Sequence, residues 1–341
     1  MLRRQLLFTM FTLSTLVVVG NVNAAQPAAR VLEIKGKVVV KDADNKPREL
    51  AILDTVYVGE KIVLVADCSV TLAFPADAHI ERASQPGEVV VGKKGCQPRS
   101  RVEAVEAPLP RRKVIVSAVK ALHPTAVSGA TTVRGGGEKE NADRPGPQVS
   151  PIPGSTVLAA RPKFTWSAVP DATSYKLVVK LIVESGDEKL WTSPTTAQTA
   201  TEYSGELALK PGSHYTWEVL AGFADGTYRH AYRGAFTLAT DEQKAVATEL
   251  QEVAVGPDLP YLTLAAAWYE ENKLVPEAIA AFQRLVDLRP NTAAYYFALA
   301  RLYAQAGRTE DAEKAYKKAR EIEPLPDKPP LPEWLHIKDY P

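Results

Sequence analysis

Two consecutive stretches of the sequence decide the fold of its C-terminal third. Residues 259–290 read LPYLTLAAAWYEENKLVPEAIAAFQRLVDLRP, and residues 293–324 read AAYYFALARLYAQAGRTEDAEKAYKKAREIEP. A shift of 34 positions aligns Tyr269 with Tyr303 and Pro290 with Pro324. Apolar residues recur at every third or fourth position, which predicts amphipathic α-helices. The period predicts a repeat architecture of stacked helical hairpins.

In this pattern the two stretches resemble tetratricopeptide repeats. The second copy has the residue types of the family at eight marker positions: Tyr296, Leu299, Ala300, Tyr303, Ala312, Tyr316, Ala319 and Pro324. The resemblance implies that the first helix of each repeat lines a concave groove for a peptide or extended segment. The groove residues it implies are Thr263, Leu264, Ala267, Glu270, Glu271, Phe297, Ala298, Arg301, Ala304 and Gln305. The alternative is a structural end-cap that binds no ligand.

Two repeats alone are too few for a continuous core, because such stacks normally need about three units. The pattern Thr240-Asp-Glu-Gln243 is a capping box. It predicts a helix of about Asp241 to Val255 that supplies the missing layer. The helical region therefore spans residues 240–324, and residues 325–341 are predicted to be a proline-rich tail.

The N-terminus has the features of a secretory signal peptide. Arg3 and Arg4 precede an apolar run from Leu6 to Gly20, and small residues follow up to Ala24. The run is shorter than the roughly 20 residues that span a bilayer. We therefore expect residues 1–24 to be a cleaved signal and the protein to be periplasmic or secreted. An uncleaved anchor is the alternative.

Residues 30–96 predict an all-β domain, because short β-branched runs alternate with turn signals. The string Gly36-Lys-Val-Val-Val40, the step from Leu53 to Ile62 and the strand Ser69-Val-Thr-Leu-Ala-Phe74 resemble the FecR-type periplasmic domain. The resemblance covers about 65 residues. It implies a β domain of the bacterial cell envelope.

The two cysteines, Cys68 and Cys96, both lie in this segment. In an oxidising compartment an even number of cysteines predicts a disulfide between them. The competing interpretation, a metal-binding thiol pair, lacks a nearby histidine or a Cys-x-x-Cys spacing.

Residues 97–150 predict a flexible linker, because they are rich in proline and include the run Gly135-Gly-Gly137. Within them, residues 113–122 predict either a short helix or an added strand. The whole chain has 26 prolines, which predicts separate modules joined by stiff linkers.

Residues 151–239 return to strand signals. The corner Leu209-Lys-Pro-Gly212, followed by Tyr215, resembles a fibronectin type III domain, an immunoglobulin-like β-sandwich. The resemblance implies that the hydroxyl of Tyr215 bonds back to the chain. Trp191 and Tyr203 are expected to pack in the core or at an edge. The alternative is a surface on which a sugar ring stacks.

Charge and motifs argue against several function classes. The chain has 41 basic and 40 acidic side chains, a net charge of +1, so it lacks the basic bias of proteins that bind nucleic acid. Its five histidines are scattered, and the sequence has no hydrolase elbow, Walker loop or dinucleotide fingerprint. We therefore expect a protein without catalytic activity, cofactor or metal.

Together these features predict a multidomain protein of the β plus α class whose function is binding. The favoured hypothesis is a periplasmic or secreted scaffold that binds a protein partner through the repeat groove and the β domains, in envelope assembly or signalling. The alternative is an envelope protein that binds carbohydrate or peptidoglycan through its β domains.

Overall fold

The computed structural model describes residues 26–106, 112–122, 148–184, 186–253 and 258–324. The predicted signal peptide and the predicted tail lie outside the described residues. Within the described ranges, no helix is both long enough and apolar enough to cross a bilayer. Sheets occupy the N-terminal part and helices the C-terminal part, which confirms the β plus α class.

The N-terminal domain is built from two antiparallel sheets of five strands each. Its strands are β1 (Pro27–Lys35), β2 (Val39–Lys41), β3 (Pro47–Glu49), β4 (Thr55–Tyr57), β5 (Lys61–Leu64), β6 (Ser69–Phe74), β7 (His79–Ala83), β8 (Gly87–Gly92), β9 (Gly95–Gln97) and β10 (Val102–Ala104). The strand orders are β10-β7-β6-β1-β4 and β3-β2-β5-β8-β9. Side chains from both sheets, such as Val31, Ile62 and Val70, form one apolar core.

Part of the segment predicted as a linker, residues 97–150, has regular structure. A short 3-10 turn (Arg99–Arg101) follows β9 and leads into β10, which pairs with β7. Residues Arg112–Ala121 form helix α1, the first of the two alternatives for this stretch. Ordered structure forms here because one face of the helix and its C-terminal end is apolar and buried: Ile115, Ala118, Val119 and Leu122. The structure therefore differs from the linker prediction at these residues.

The central module is a sandwich of a five-stranded and a two-stranded sheet. Its strands are β11 (Ser155–Val157), β12 (Lys163–Thr165), β13 (Ser174–Val183), β14 (Gly186–Thr192), β15 (Ala200–Glu202), β16 (His214–Gly222) and β17 (Tyr228–Leu238). The strand orders are β11-β17-β16-β13-β14 and β12-β15. Phe164, Trp217 and Phe236 fill the space between the sheets. The hydroxyl of Tyr215 accepts the Lys210 N–H at 2.7 Å, so the tyrosine corner is formed.

The described part of the C-terminal region contains five helices: α2 (Asp241–Val253), α3 (Leu259–Glu271), α4 (Val275–Leu288), α5 (Ala293–Gln305) and α6 (Thr309–Ile322). Helix α2 begins with the predicted capping box, in which the Gln243 N–H donates to Thr240 Oγ1 at 3.1 Å and the Thr240 N–H donates to Gln243 Oε1 at 2.9 Å. Helices α3 and α4 form one hairpin, and α5 and α6 form the next. The exposed face of α6 is charged, as expected for the end of a repeat stack.

The modules share a core, which differs from the expected chain of separate modules. Leu32, Ala73 and Ile80 of the N-terminal domain belong to the same apolar cluster as α1, α2 and the four repeat helices. The sandwich joins this body through Ile152 and through a hydrogen bond from the Thr156 N–H to the Lys273 carbonyl at 2.8 Å. Prolines in the connections therefore do not separate the modules, because apolar faces on both sides remove each other from water.

Candidate functional site

The groove helix of the first repeat, α3, is covered by strand β1 of the same chain. Strand β1 packs against α3, and every residue of α3 from Pro260 to Tyr269 is buried. Arg30 of β1 lies near Glu270 at the end of α3. Glu33, further along the strand, lies near Tyr295 at the start of α5. Strand β1 therefore covers α3, and its later residues lie near the start of α5.

A charged cluster closes one end of this contact. Arg301 donates to the Glu270 carboxylate through Nε at 3.0 Å and also through Nη2. Burial lowers the pKa of Arg30, and the carboxylates of Glu270 and Glu271 oppose that shift. The Nε of Arg30 is buried without a hydrogen-bond partner among the described residues. The carboxylates of Glu270 and Glu271 therefore favour the charged form of Arg30 where the N-terminal domain meets the repeats.

Most of the groove residues on α3 are closed to a ligand. Thr263 and Leu264 are fully buried, Ala267 is 4% exposed, and Glu270 and Glu271 are half-buried. The hydroxyls of Thr263 and Tyr295 share a hydrogen bond of 3.0 Å. The structure thus brings the two groove helices together as expected, but on α3 strand β1 packs where an external ligand was expected.

The groove residues on α5 are only partly accessible. Phe297 is half-buried, with its ring edge-on to Tyr316 at 5.8 Å. Ala298 is buried, Arg301 and Ala304 are half-buried, and Gln305 alone among the ten residues is exposed. The groove is therefore an internal contact surface in this structure, and a binding site for a partner has to be sought beside it.

An open cleft of about 940 Å³ lies at the other end of the β1 contact. We call it the seam cleft. Its lining comprises residues 33–36, Ser69, Arg82, Ser84, Glu103 and residues 288–292. One wall is therefore the N-terminal domain, and the opposite wall is the loop between the two repeats. Neither module forms the cleft alone, and no sequence motif marks it because its walls are more than 180 positions apart.

Ion pairs neutralise only part of the charge in the seam cleft. Arg82 Nη2 donates to Glu33 Oε2 at 3.3 Å, and Arg82 Nε donates to Thr71 Oγ1 at 3.3 Å. Lys35 and Arg289 are exposed, and neither forms an ion pair with any other described residue. The cleft therefore presents two cations that are free to face a ligand.

The cysteines do not form the predicted disulfide; Cys68 and Cys96 are both free and buried. The Cys96 N–H donates to Glu81 Oε2 at 2.8 Å, and Glu81 is paired with Leu72 in the middle of β6. Cys68 comes before the first residue of β6. The two are thus separated by roughly 10 Å along the strand direction, beyond the reach of a disulfide. An even count of cysteines indicates nothing about this separation.

The surroundings of Cys96 also make its thiol unreactive. Burial, together with the negative charge of Glu81, raises the pKa of the Cys96 thiol to about 12. Burial also opposes ionisation of Glu81, but hydrogen bonds from His79, Arg99 and the Cys96 N–H lower the pKa of this carboxyl below its ordinary value. An ionised carboxylate therefore lies beside a protonated thiol, which is neither a nucleophile nor a metal ligand.

The sandwich gives little support to the sugar-stacking alternative. Trp191 and Tyr203 contact each other edge to face, with ring centroids 5.2 Å apart. Tyr203 is 1% exposed, and its hydroxyl donates to the Leu207 carbonyl at 2.8 Å. These rings pack against each other as the sequence favoured.

In the described part of the chain, no three His, Cys, Asp or Glu side chains are grouped as metal ligands would be.

Comparison with known proteins identifies the helical region. Residues 260–323 match the tetratricopeptide repeat model. No match to the FecR-type family was found. No curated protein matches the chain.

Two solved structures show a limited likeness to this chain. A Fn3-like protein from Clostridium thermocellum is 19% identical over 26% of this chain and 96% of its own, with a TM-score of 0.19. The vertebrate protein Astrotactin-2, described as a perforin-like membrane protein involved in neuronal development, is 14% identical over 52% of this chain and 37% of its own, with a TM-score of 0.18.

Proposed function

We propose that this protein is a non-catalytic, exported scaffold that binds a protein partner at the seam cleft. The tetratricopeptide repeats support a role in protein interaction. The observation that carries the proposal is that β1 covers the groove helix α3 while an open cleft of about 940 Å³ remains beside it. The groove then serves to join the modules, and the partner binds at the joint.

The shared core supports a scaffold rather than a flexible tether. A surface built from two modules keeps its shape only if the modules keep their relative position, and the cluster that includes Leu32 and the repeat helices provides this constraint. A preformed cleft also lowers the entropic cost of binding. The sequence of residues 1–24 supports export to the periplasm or outside the cell, where an envelope protein would be the partner.

Site-specific photo-crosslinking in intact cells tests the proposal. Leu288→p-benzoylphenylalanine places a photoreactive ring on the cleft wall, where the native side chain is 41% exposed. Leu207→p-benzoylphenylalanine is the matched control, because Leu207 is 71% exposed on the sandwich and does not line the cleft. We expect a discrete protein adduct from position 288 only. Equal adducts from both positions, or none from position 288, would contradict the proposal.

Two further measurements test the remaining parts. Fractionation of cells with an antibody to the protein is expected to recover it outside the cytoplasm with the signal sequence removed. Strong retention of the purified protein on isolated cell wall would instead favour the carbohydrate-binding alternative.

A further inference from the structure

The seam cleft has the chemistry of a site for an acidic peptide. We propose that it binds an extended segment of the partner in which acidic and apolar side chains alternate, with the acidic groups facing Lys35 and Arg289. This inference rests on the proposed function and specifies the ligand of the same cleft.

The charge balance of the cleft favours an acidic ligand. Its lining contains three basic and two acidic side chains. Glu33 is already bonded by Arg82 and by the Thr71 hydroxyl at 3.4 Å, so this acidic group is internally neutralised. The charges left for a ligand are those of Lys35 and Arg289 against the single carboxylate of Glu103, and the net field is positive.

The two free cations come from opposite walls. Lys35 ends strand β1 in the N-terminal domain, and Arg289 follows α4 in the repeat region. A ligand that places one carboxylate against each cation therefore has to extend across the cleft. Complementary charge at such an exposed site mainly sets specificity and the association rate, and its effect weakens as salt is added.

Apolar groups beside Arg289 explain why the segment alternates. Leu288, which is 41% exposed, and Pro290 flank Arg289 and line the cleft. In an extended segment successive side chains point to opposite sides. Every second residue can then cover these apolar side chains while its neighbours reach the two cations. Ser69, Ser84 and Asn291 supply neutral hydrogen-bonding groups for the backbone of such a segment.

Fluorescence anisotropy with defined peptides tests this inference. The probe is a fluorescein-labelled octapeptide of alternating leucine and aspartate, and the comparison peptide has lysine in place of aspartate. We expect the full chain to bind the aspartate peptide more tightly than the lysine peptide. We also expect the dissociation constant of the aspartate peptide to rise with salt.

Charge-reversal variants locate the binding. The double change Lys35→Glu and Arg289→Glu is expected to weaken binding of the aspartate peptide by about tenfold, and Glu103→Lys is expected to strengthen it. Lys314→Glu, an exposed lysine on α6 outside the cleft, is the matched control and should change nothing. All four positions are exposed, so unchanged thermal unfolding curves will show that the variants fold.

Each result decides the question. Equal binding of the two peptides, or an unchanged affinity in the double variant, would overturn the inference. If the peptides fail but position 288 still yields its specific adduct in cells, the scaffold proposal stands and only the ligand chemistry is wrong. Loss of the adduct as well would contradict both the scaffold proposal and the proposed ligand chemistry.

Discussion

The shared core predicts that a change in β1 will loosen the repeat helices. Leu32 is fully buried in the cluster that also contains the repeat residues. Leu32→Ala removes three buried carbons and leaves a cavity. In protein cores a change of this kind lowers the free energy of unfolding by about 2–5 kcal/mol.

Hydrogen exchange measured by mass spectrometry shows whether the N-terminal domain and the repeats share one core or have separate cores. If the domain and the repeats are stabilised together, the amides of α3 will exchange about 30-fold faster or more in the Leu32→Ala variant, because about 1.4 kcal/mol corresponds to a factor of ten. Val65→Ala is the control, since Val65 is 59% exposed in the same domain. A change at such a position is expected to stay within about 0.5 kcal/mol.

If Leu32→Ala lowers protection in the strands of the N-terminal domain by the expected amount and leaves α3 unchanged, the two modules fold independently. The repeat groove would then be free for an external ligand, as the sequence first suggested.

The remaining predictions concern charged and thiol groups. Arg30→Ala and Glu270→Ala should be non-additive by about 0.5–3 kcal/mol in urea unfolding, and additive effects would show that β1 and α3 are not coupled electrostatically. The pKa of Glu81 is lower in the folded state, so this carboxylate stabilises the fold above its unfolded pKa and the contribution disappears as the pH falls through the folded pKa. Glu81→Gln should therefore destabilise the protein at neutral pH and reduce the loss of stability on acidification. An unchanged pH dependence of the free energy of unfolding at acidic pH would contradict this. With the pKa of Cys96 raised to about 12, both Cys96 and the buried Cys68 should resist Ellman's reagent in native protein at pH 8 and react in denaturant; detection of an intact disulfide by mass spectrometry would contradict the structure.

The periodic parts of the fold were predictable from the sequence. The period of 34 positions in residues 259–324 identified both helical hairpins, because each repeat uses small and aromatic residues at the same contacts. The capping box at Thr240 and the tyrosine corner at Tyr215 were also correct, because both depend on residues close together in the chain.

Two local patterns indicated that helix faces are covered by other parts of the chain. They did not identify which parts cover them. Helix α3 is apolar around its whole circumference, with Leu264 on the supposed ligand side as well as Leu262 on the other. A helix of that kind is normally buried on all sides. The apolar stripe of α1 likewise needed a partner. The identity of the partner, strand β1, depends on long-range packing that one sequence does not encode in any spacing.

The contact between the first and last parts of the chain also determines when folding can finish. The hydroxyl of Tyr261 donates to the Glu106 carbonyl at 3.0 Å across 155 positions. Leu32 becomes buried only when the repeat helices, which are synthesised last, pack against it. Such distant pairings slow folding. Until the final hairpin has docked, the N-terminal domain carries an uncovered apolar patch, so a chain truncated before residue 259 should be degraded by proteases.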